Sequence, residues 1–411
     1  MSGTPSATNR WLSRTVLAIV LTTFFSDVSH EMATTVLPLY LASVGWGPLA
    51  LGLIEGTADF LVSMSKLGGG YLGHHVQRKK PWVALGYLVT TLGTSAIGLT
   101  NHWAAVLVLR SVAWVGRGFR SPLRDYLLAG AVARSHYGRV YGLERAGDML
   151  GAVTGPLAAV CLLWLGWSFS WLILGTLIPG MLAVGIFTAW VREDQAGAGS
   201  HDQPSGSEDP PPVSRHFPRV FWWFLAGVVL FGLGDFSRTF LVLMAARAAG
   251  EHSTTPGTFS VAVSLYLVHN LVSALTAYPV GWWGDRRAKL PMLALGYGLG
   301  VATNLLLACF STTLSWLSLA IVLSGVYIAI EETLEKAVAA EILPRELRSL
   351  GFGILASANA VGDMVSSFYV GALLHAELPG AAFGSAAAVG GLGFLWMLFV
   401  VRWHRPRLFA A

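Results

Sequence analysis

The sequence predicts an all-α integral membrane protein whose 12 transmembrane helices form two six-helix bundles related by an internal repeat. Three observations carry that expectation. With 54% hydrophobic residues, only 12% charged residues and a mean hydropathy of +0.60, the 411-residue chain is too apolar for a water-soluble domain of its length. Its apolar residues lie in long continuous runs of about 20, the length a helix needs to cross a hydrocarbon core, and 47 glycines suit close helix approach. The third observation is that much of the first half returns near the same place in the second.

Twelve apolar runs can be placed, at roughly 15 to 41, 48 to 72, 81 to 99, 103 to 130, 140 to 165, 169 to 191, 219 to 246, 258 to 283, 291 to 310, 314 to 340, 349 to 375 and 383 to 402. Residues 1–192 then form the first bundle, 193–218 a cytoplasmic linker rich in Pro, Gly, Ser and charge, and 219–411 the second bundle. Of the 27 Lys and Arg, 18 sit at the termini or in loops after even-numbered runs, eight are intramembrane, and only Arg247 falls in an odd loop. The positive-inside rule therefore places both termini in the cytoplasm. The net charge of +5 reflects this topology and gives no reason to expect a nucleic-acid partner. Arg10 and Arg14 precede the first run as in a signal peptide, but Asp27, His30 and Glu31 interrupt it and no small-residue cleavage site follows. It reads as a retained span. Cys161 and Cys309 lie in apolar runs and match no metal-ligand spacing, so neither a disulfide nor a metal site is expected.

Ionisable residues inside these runs are the candidates for function, because a charge at the bilayer centre costs roughly 2.5 to 3.5 kcal/mol and needs a polar interior to face. In the first run Asp27, Glu31 and Thr34 project within roughly 60° of one another on a helix. The second run groups Glu55, Asp59 and Lys66 in the same way; an Asp59 to Lys66 ion pair would leave Glu55 without a partner, so either proton or cation handling or a helix-locking charge network fits. In the fourth run Arg110, Arg117 and Arg124 are spaced by sevens and drift only about 20° per step, so they share one face. The seventh run carries FGLGDFSRTF, where Asp235, Ser237 and Arg238 take the places of Asp27, Ser29 and His30. His269 in the eighth run is read either as a titrating group or as a packing residue.

The repeat is clearest in loops and glycines. After the second run comes GYLGHHVQRKKPWVALGY, and after the eighth GWWGDRRAKLPMLALGY, each with tight glycines, basic residues and a proline that starts the next helix. At an offset of 211 residues Gly142, Gly151 and Arg134 match Gly353, Gly362 and Arg345, whereas Arg120, Arg124 and Asp125 fall on Glu331, Glu335 and Lys336. The second copy keeps the glycines and inverts the charges. Gly116-x-Gly118 and similar pairs lie inside runs and read as packing glycines.

On these residues the chain resembles a member of the major facilitator superfamily, over all of its length apart from linker and tails. The family's loop motif, G-x-x-x-D-R-x-G-R-[KR], is matched in the second half by Gly281, Asp285, Arg286 and Lys289, with Ala288 replacing the later glycine. The first-half copy departs more: His74, His75 and Gln77 stand where the family has Asp, Arg and Gly, leaving Gly70, Arg78 and Lys79. The resemblance implies that the motif's acid latches the cytoplasmic side shut, a role that then falls on Asp285. Arg110 resembles the fourth-span arginine associated with proton coupling. Gly142, Gly151, Gly155 and Pro156 resemble the antiporter motif associated with exporters, with Ala159 in place of its last glycine. Gly151 and Gly155 form a small-xxx-small face and Pro156 removes a backbone bond, which suits a bend or close packing at the seam between bundles.

The resemblance implies two bundles rocking about a site near the bilayer midplane. It points to proton-coupled secondary transport of a small organic solute in the cytoplasmic (inner) membrane, with efflux by antiport as the leading reading and no enzymatic activity or cofactor. Asp27, Glu31, Glu55 and Asp59 are the acids that exchange proton and substrate, with Asp235 and Arg238 as their second-half counterparts. Arg110 and Arg117 modulate them or hold an anionic group. Arg120 and Arg124 are expected to pair with Glu331, Glu332 or Glu335 when the cytoplasmic side is closed. The implied partners are the substrate, protons and the bilayer, with the chain as a monomer. Proton-coupled import of an organic anion or metal chelate is the nearest alternative, and a non-transporting receptor or scaffold on the same fold a more distant one.

Overall fold

The computed structural model describes residues 11–46, 48–193, 216–248, 261–311 and 313–408. The regular structure of these residues is all helical, and no strand occurs among them. The helices are α1 (Arg14–Ser43), α2 (Pro48–His75), α3 (Lys80–Ala96), α4 (Trp103–Gly130), α5 (Tyr137–Trp164), α6 (Phe169–Gly175), α7 (Leu177–Trp190), α8 (Arg219–Gly232), α9 (Thr239–Ala248), α10 (Val261–Arg286), α11 (Lys289–Phe310), α12 (Leu314–Ile342), α13 (Arg348–His375) and α14 (Pro379–Leu408).

By length and composition, eight stretches among the described residues are long and apolar enough to cross a membrane: α1, α3, α5, α6 with α7, α10, α11, α12 and α14. The expected second, fourth and eleventh spans, α2, α4 and α13, fall outside that set. α4 is the clearest reason why, since it carries five charged residues from Arg110 to Asp125. Its 28 residues make a helix roughly 42 Å long at 1.5 Å per residue, longer than a hydrocarbon core.

The expected seventh span is broken. α8 ends at Gly232 and α9 begins at Thr239, and the backbone freed between them is satisfied from neighbouring helices. Tyr369 donates to the Leu233 carbonyl at 2.8 Å, Asn304 to that of Gly234 at 3.1 Å and Ser366 to that of Asp235 at 2.8 Å. Irregular backbone at membrane depth survives only where protein supplies such partners. The sixth span has a milder break at Thr176, whose carbonyl accepts from Ser29 at 2.8 Å.

Helix starts follow local chemistry. Ser13 caps α1 by accepting from the Val16 amide at 3.2 Å. The Glu193 carboxylate, after α7, accepts from the Lys79 and Lys80 amides at 2.7 and 2.9 Å, placing an anion at the start of α3. α1 packs against α5 and α7, α2 against α4, and α11 against α12 and α14. Across the halves of the chain α5 packs on α10, and α2 on α13. The α2 to α13 crossing is tight because it is built on two facing glycines: a Cβ on Gly70 would stand 2.8 Å from the Gly353 Cα.

The glycines of α5 correct one expectation. Of Gly142, Gly151 and Gly155, Gly142 alone lies at the seam between halves, where a Cβ would come within 2.4 Å of the Ala277 carbonyl on α10. Gly151 and Gly155 face α1 within the first half; added Cβ atoms would stand 2.7 Å from the Cβ atoms of Asp27 and Glu31. The reason is helical phase. Nine residues at about 100° each put Gly142 and Gly151 on opposite faces.

Candidate functional site

Between the halves α1, α2, α4 and α5 on one side, and the α8–α9 break, α12 and α13 on the other, enclose a cavity of about 270 Å³. Seven basic and nine acidic side chains line it, so it is a polar, charged chamber rather than an oily one.

The first-half wall is a chain of ion pairs. Arg117 Nη1 stands 2.8 Å from Asp27 Oδ1, and Asp148 on α5 lies within hydrogen-bonding reach of Asp27. Arg145 Nη1 holds both Asp148 Oδ2 and Glu332 Oε2 at 2.7 Å, the latter reaching across to α12. Arg124 pairs with Asp125 at 3.0 Å and Glu144 at 2.9 Å, and Lys336 of α12 approaches the same two acids at 3.6 Å. The second-half wall is poorer in cations. Arg238 approaches Asp235 at 3.4 Å, and Tyr327 donates to Asp235 at 2.8 Å. Glu335 accepts from Tyr297 at 2.5 Å and from Asn359 at 2.7 Å, both neutral donors. Glu331 and Asp363 complete that wall without a salt bridge among the described residues.

Of the residues expected from sequence, the cavity brings together Asp27, Arg117, Arg120, Arg124, Asp235, Arg238, Glu331 and Glu335. The side chains of Glu55 and Asp59 lie outside the described residues, although their backbone belongs to α2. Arg110 is not on the cavity wall. It is 1% exposed, donates to Thr34 at 3.0 Å and lies over the Trp114 ring, so the seven-residue arginine face is divided between a buried seam and the chamber. Glu31 is likewise off the cavity wall, with its backbone carbonyl accepting from Thr35 and its Cβ against Gly155.

The expected pairing of Arg120 and Arg124 with Glu331, Glu332 or Glu335 is not what this structure contains. Arg120 donates to Thr90 at 2.8 Å and Ser26 at 2.9 Å and stacks on the Tyr87 ring, while Arg124 is satisfied by Asp125 and Glu144. Both find partners in their own half. The contacts across halves use Arg145 with Glu332, and Lys336 with Asp125, two positions equivalent in the repeat.

The loop motifs lie at the ends of α2 and α10. Asp285, whose side chain is fully buried, accepts from the Gly138 and Arg139 amides at 2.7 and 2.9 Å and so caps α5 across the halves. Lys289 supports it at 3.2 Å and also reaches Glu341 at 2.5 Å. Arg286 takes no part; it is exposed and stacks on Trp282. Arg78 is exposed as well. In the first-half motif His74, standing where the acid would be, makes a 2.9 Å hydrogen bond to the Glu346 carbonyl just before α13.

Sequence reasoning missed Asp363, Asn359, Tyr327 and Tyr297 as site residues. The repeat could not have found Asp363, since Ala152 occupies the equivalent position 211 residues earlier. The available signal was an acid in an otherwise apolar run, the same one that marks Asp27.

The sequence profile described as Major Facilitator Superfamily matches residues 19–246 and again 227–409. The chain belongs to that superfamily. It is accordingly a multi-pass membrane transporter. Among its relatives, an MFS-type transporter of Methanocaldococcus jannaschii is 26% identical over 89% of each chain. The gentisate transporter of Corynebacterium glutamicum is 26% identical over 85% of this chain and 79% of its own. Among solved structures, the human organic anion transporter superposes with a TM-score of 0.71 at 14% identity, covering 93% of this chain and 99% of that one. The Escherichia coli fucose:proton symporter gives 0.66 at 15%, covering 94% and 98%. At such identities the structures share the superfamily's fold and nothing narrower.

Proposed function

We propose that this transporter is a proton-coupled carrier that expels a small organic solute in exchange for protons. Its twelve membrane spans count α6 with α7, and α8 with α9, as single broken helices. They divide into bundles 1–192 and 219–411, joined by the linker 193–218, which rock about the cavity to expose it alternately to each side. We place it as a monomer in the cytoplasmic membrane with both termini inside, on the distribution of Lys and Arg.

The observation that carries this reading is the shared chamber. Ionisable residues from both halves meet in one space, so a relative motion of the halves changes the partners of every charge in it. Asp27 is the leading proton carrier: it is buried, paired with Arg117, and beside Asp148, and two carboxyl groups in hydrogen-bonding contact share a proton. Asp285 and His74 are the latches of the end that carries residues 134–139 and 345–348; Asp285 reaches from one half to the first turn of α5, and His74 to a carbonyl just before α13.

Purified protein in proteoliposomes with an imposed pH gradient tests the reading. Solute should move against its own gradient as protons move the opposite way. Solute moving together with protons would instead support import by symport. Solute binding with no response to a pH gradient would overturn proton coupling.

A further inference from the structure

We infer that Glu331 and Asp363 form a subsite for the N–H-bearing group of a small organic cation, which displaces protons held there while the cavity is empty. Binding stands on the cavity alone; only turnover rests on the carrier reading above.

The argument begins with Glu331, which is 5% exposed and lines the cavity, and whose Oε2 has no hydrogen-bond partner among the described residues. A buried acceptor without a donor is costly, and an ionised one far more so. The cost is met by a proton when the chamber is empty and by a donor cation when it is filled. Asp363 stands on α13 of the same wall with no salt bridge among the described residues. Glu335 is different, since Tyr297 and Asn359 donate to its two oxygens and leave neither waiting for a partner.

The cavity's cations are mostly engaged. Asp27 holds Arg117, Asp125 and Glu144 hold Arg124 and Lys336, and Asp148 and Glu332 hold Arg145. Asp235 holds Arg238, and Arg120 is bound to Ser26 and Thr90. Lys66 is the remaining one, and it lies in the fields of Asp363 and Glu332. An entering anion would have to break existing pairs at every one of these cations except Arg120 and Lys66. An entering cation meets acceptors that are waiting. Trp114, Phe352 and Leu355 on the lining supply an apolar and aromatic surface for its body.

Protonation at Glu331 is set by what faces it from each packed helix. These are Asp235 and Arg238 from the α8–α9 break, Asp363 from α13, Tyr297 from α11, and Tyr327 and Glu335 on α12 itself. Of the neighbouring helices, α10 carries His269, held by the Ile321 carbonyl, and α5 carries Arg145, already doubly paired. The exchange balances: the carboxylic O–H breaks heterolytically, the proton leaves to the open side, and the carboxylate forms an N–H···O bond to the cation.

Calorimetry on the purified protein in detergent tests this with benzamidine and phenethylamine against benzoate and gentisate, aromatic bodies of similar size and opposite charge. The two cations should bind, more tightly as pH rises and fewer protons compete for the carboxylates, with buffer-dependent heats that report protons released. Glu331→Gln and Asp363→Asn should each weaken cation binding about tenfold or more, while Glu331→Asp keeps most of it and thermal melting confirms that each variant is folded. Preference for the anions, absence of binding by both cations, or cation affinity unmoved by Glu331→Gln would each overturn the subsite. Gradient-driven flux of benzoate without cation binding would overturn it and leave the carrier reading intact. Cation binding that follows the variants but never produces flux would sustain the subsite and overturn the carrier.

Discussion

Asp27 shows how a single residue gains its role from what surrounds it. An acid in an apolar run is legible in sequence, and its spacing from Glu31 and Thr34 gives a helix face. What the spacing does not give is that Arg117 closes on it at 2.8 Å and that Asp148 lies alongside. Asp27→Asn keeps the shape and hydrogen-bonding capacity but removes the titrating group. Substrate-driven proton movement, followed with a pH-sensitive dye in proteoliposomes, should be lost while the protein still inserts and folds; unchanged coupling would remove Asp27 from the mechanism. Arg145 and Glu332 make a sharper test of contact across the halves. Arg145→Glu and Glu332→Arg should each slow transport, and the double exchange should recover part of the loss, with a coupling of about 0.5 to 3 kcal/mol. Full additivity would mean the 2.7 Å pair has no part in the transport cycle.

Among the elements, α5 is the one that joins the interior of the first half to the seam. Its glycine positions were legible, and so was their small-residue spacing, but which neighbour each glycine meets was not, because phase along one helix says nothing about the placement of the next. Gly151 lets the α1 backbone approach at Asp27, and Gly142 lets α10 approach at Ala277. A bulky side chain at either position must push a helix away, at a cost of about 1 to 3 kcal/mol. Gly151→Leu should lower the melting temperature in detergent and disturb proton coupling together, since it displaces the helix that carries Asp27. Gly142→Leu should act mainly on passage between states, read as reduced flux with substrate binding retained. The break between α8 and α9 was not legible at all: Gly232 and Gly234 permit it, but the donors from Tyr369, Asn304 and Ser366 that stabilise it come from helices more than 65 residues away in sequence.

For the whole molecule, the two halves touch each other's helix starts at one end, the contacts proposed above as latches. Asp285 uses two backbone amides of α5, and His74 a carbonyl before α13, so the two copies of the loop motif perform related tasks with different chemistry. Cysteines replacing His74 and Glu346, in a chain whose Cys161 and Cys309 are replaced by Ala, should arrest transport when joined by a short reducible cross-linker and release it on reduction. Transport continuing through the cross-link would show that this end does not open. The sequence by itself determined that the chain is apolar, helical, duplicated about a linker, and supplied with charges where lipid would reject them. Those properties follow from composition and from periodicity along the chain, which are local. Only the tertiary structure decided which charges meet: that Arg110 lies in a seam while Arg117 and Arg124 face a chamber, that Arg120 donates to two hydroxyls, and that Glu331 has an oxygen without a donor. Ion pairing and desolvation act through space over a few ångströms, and the distances that settle them are set by how helices from both halves pack.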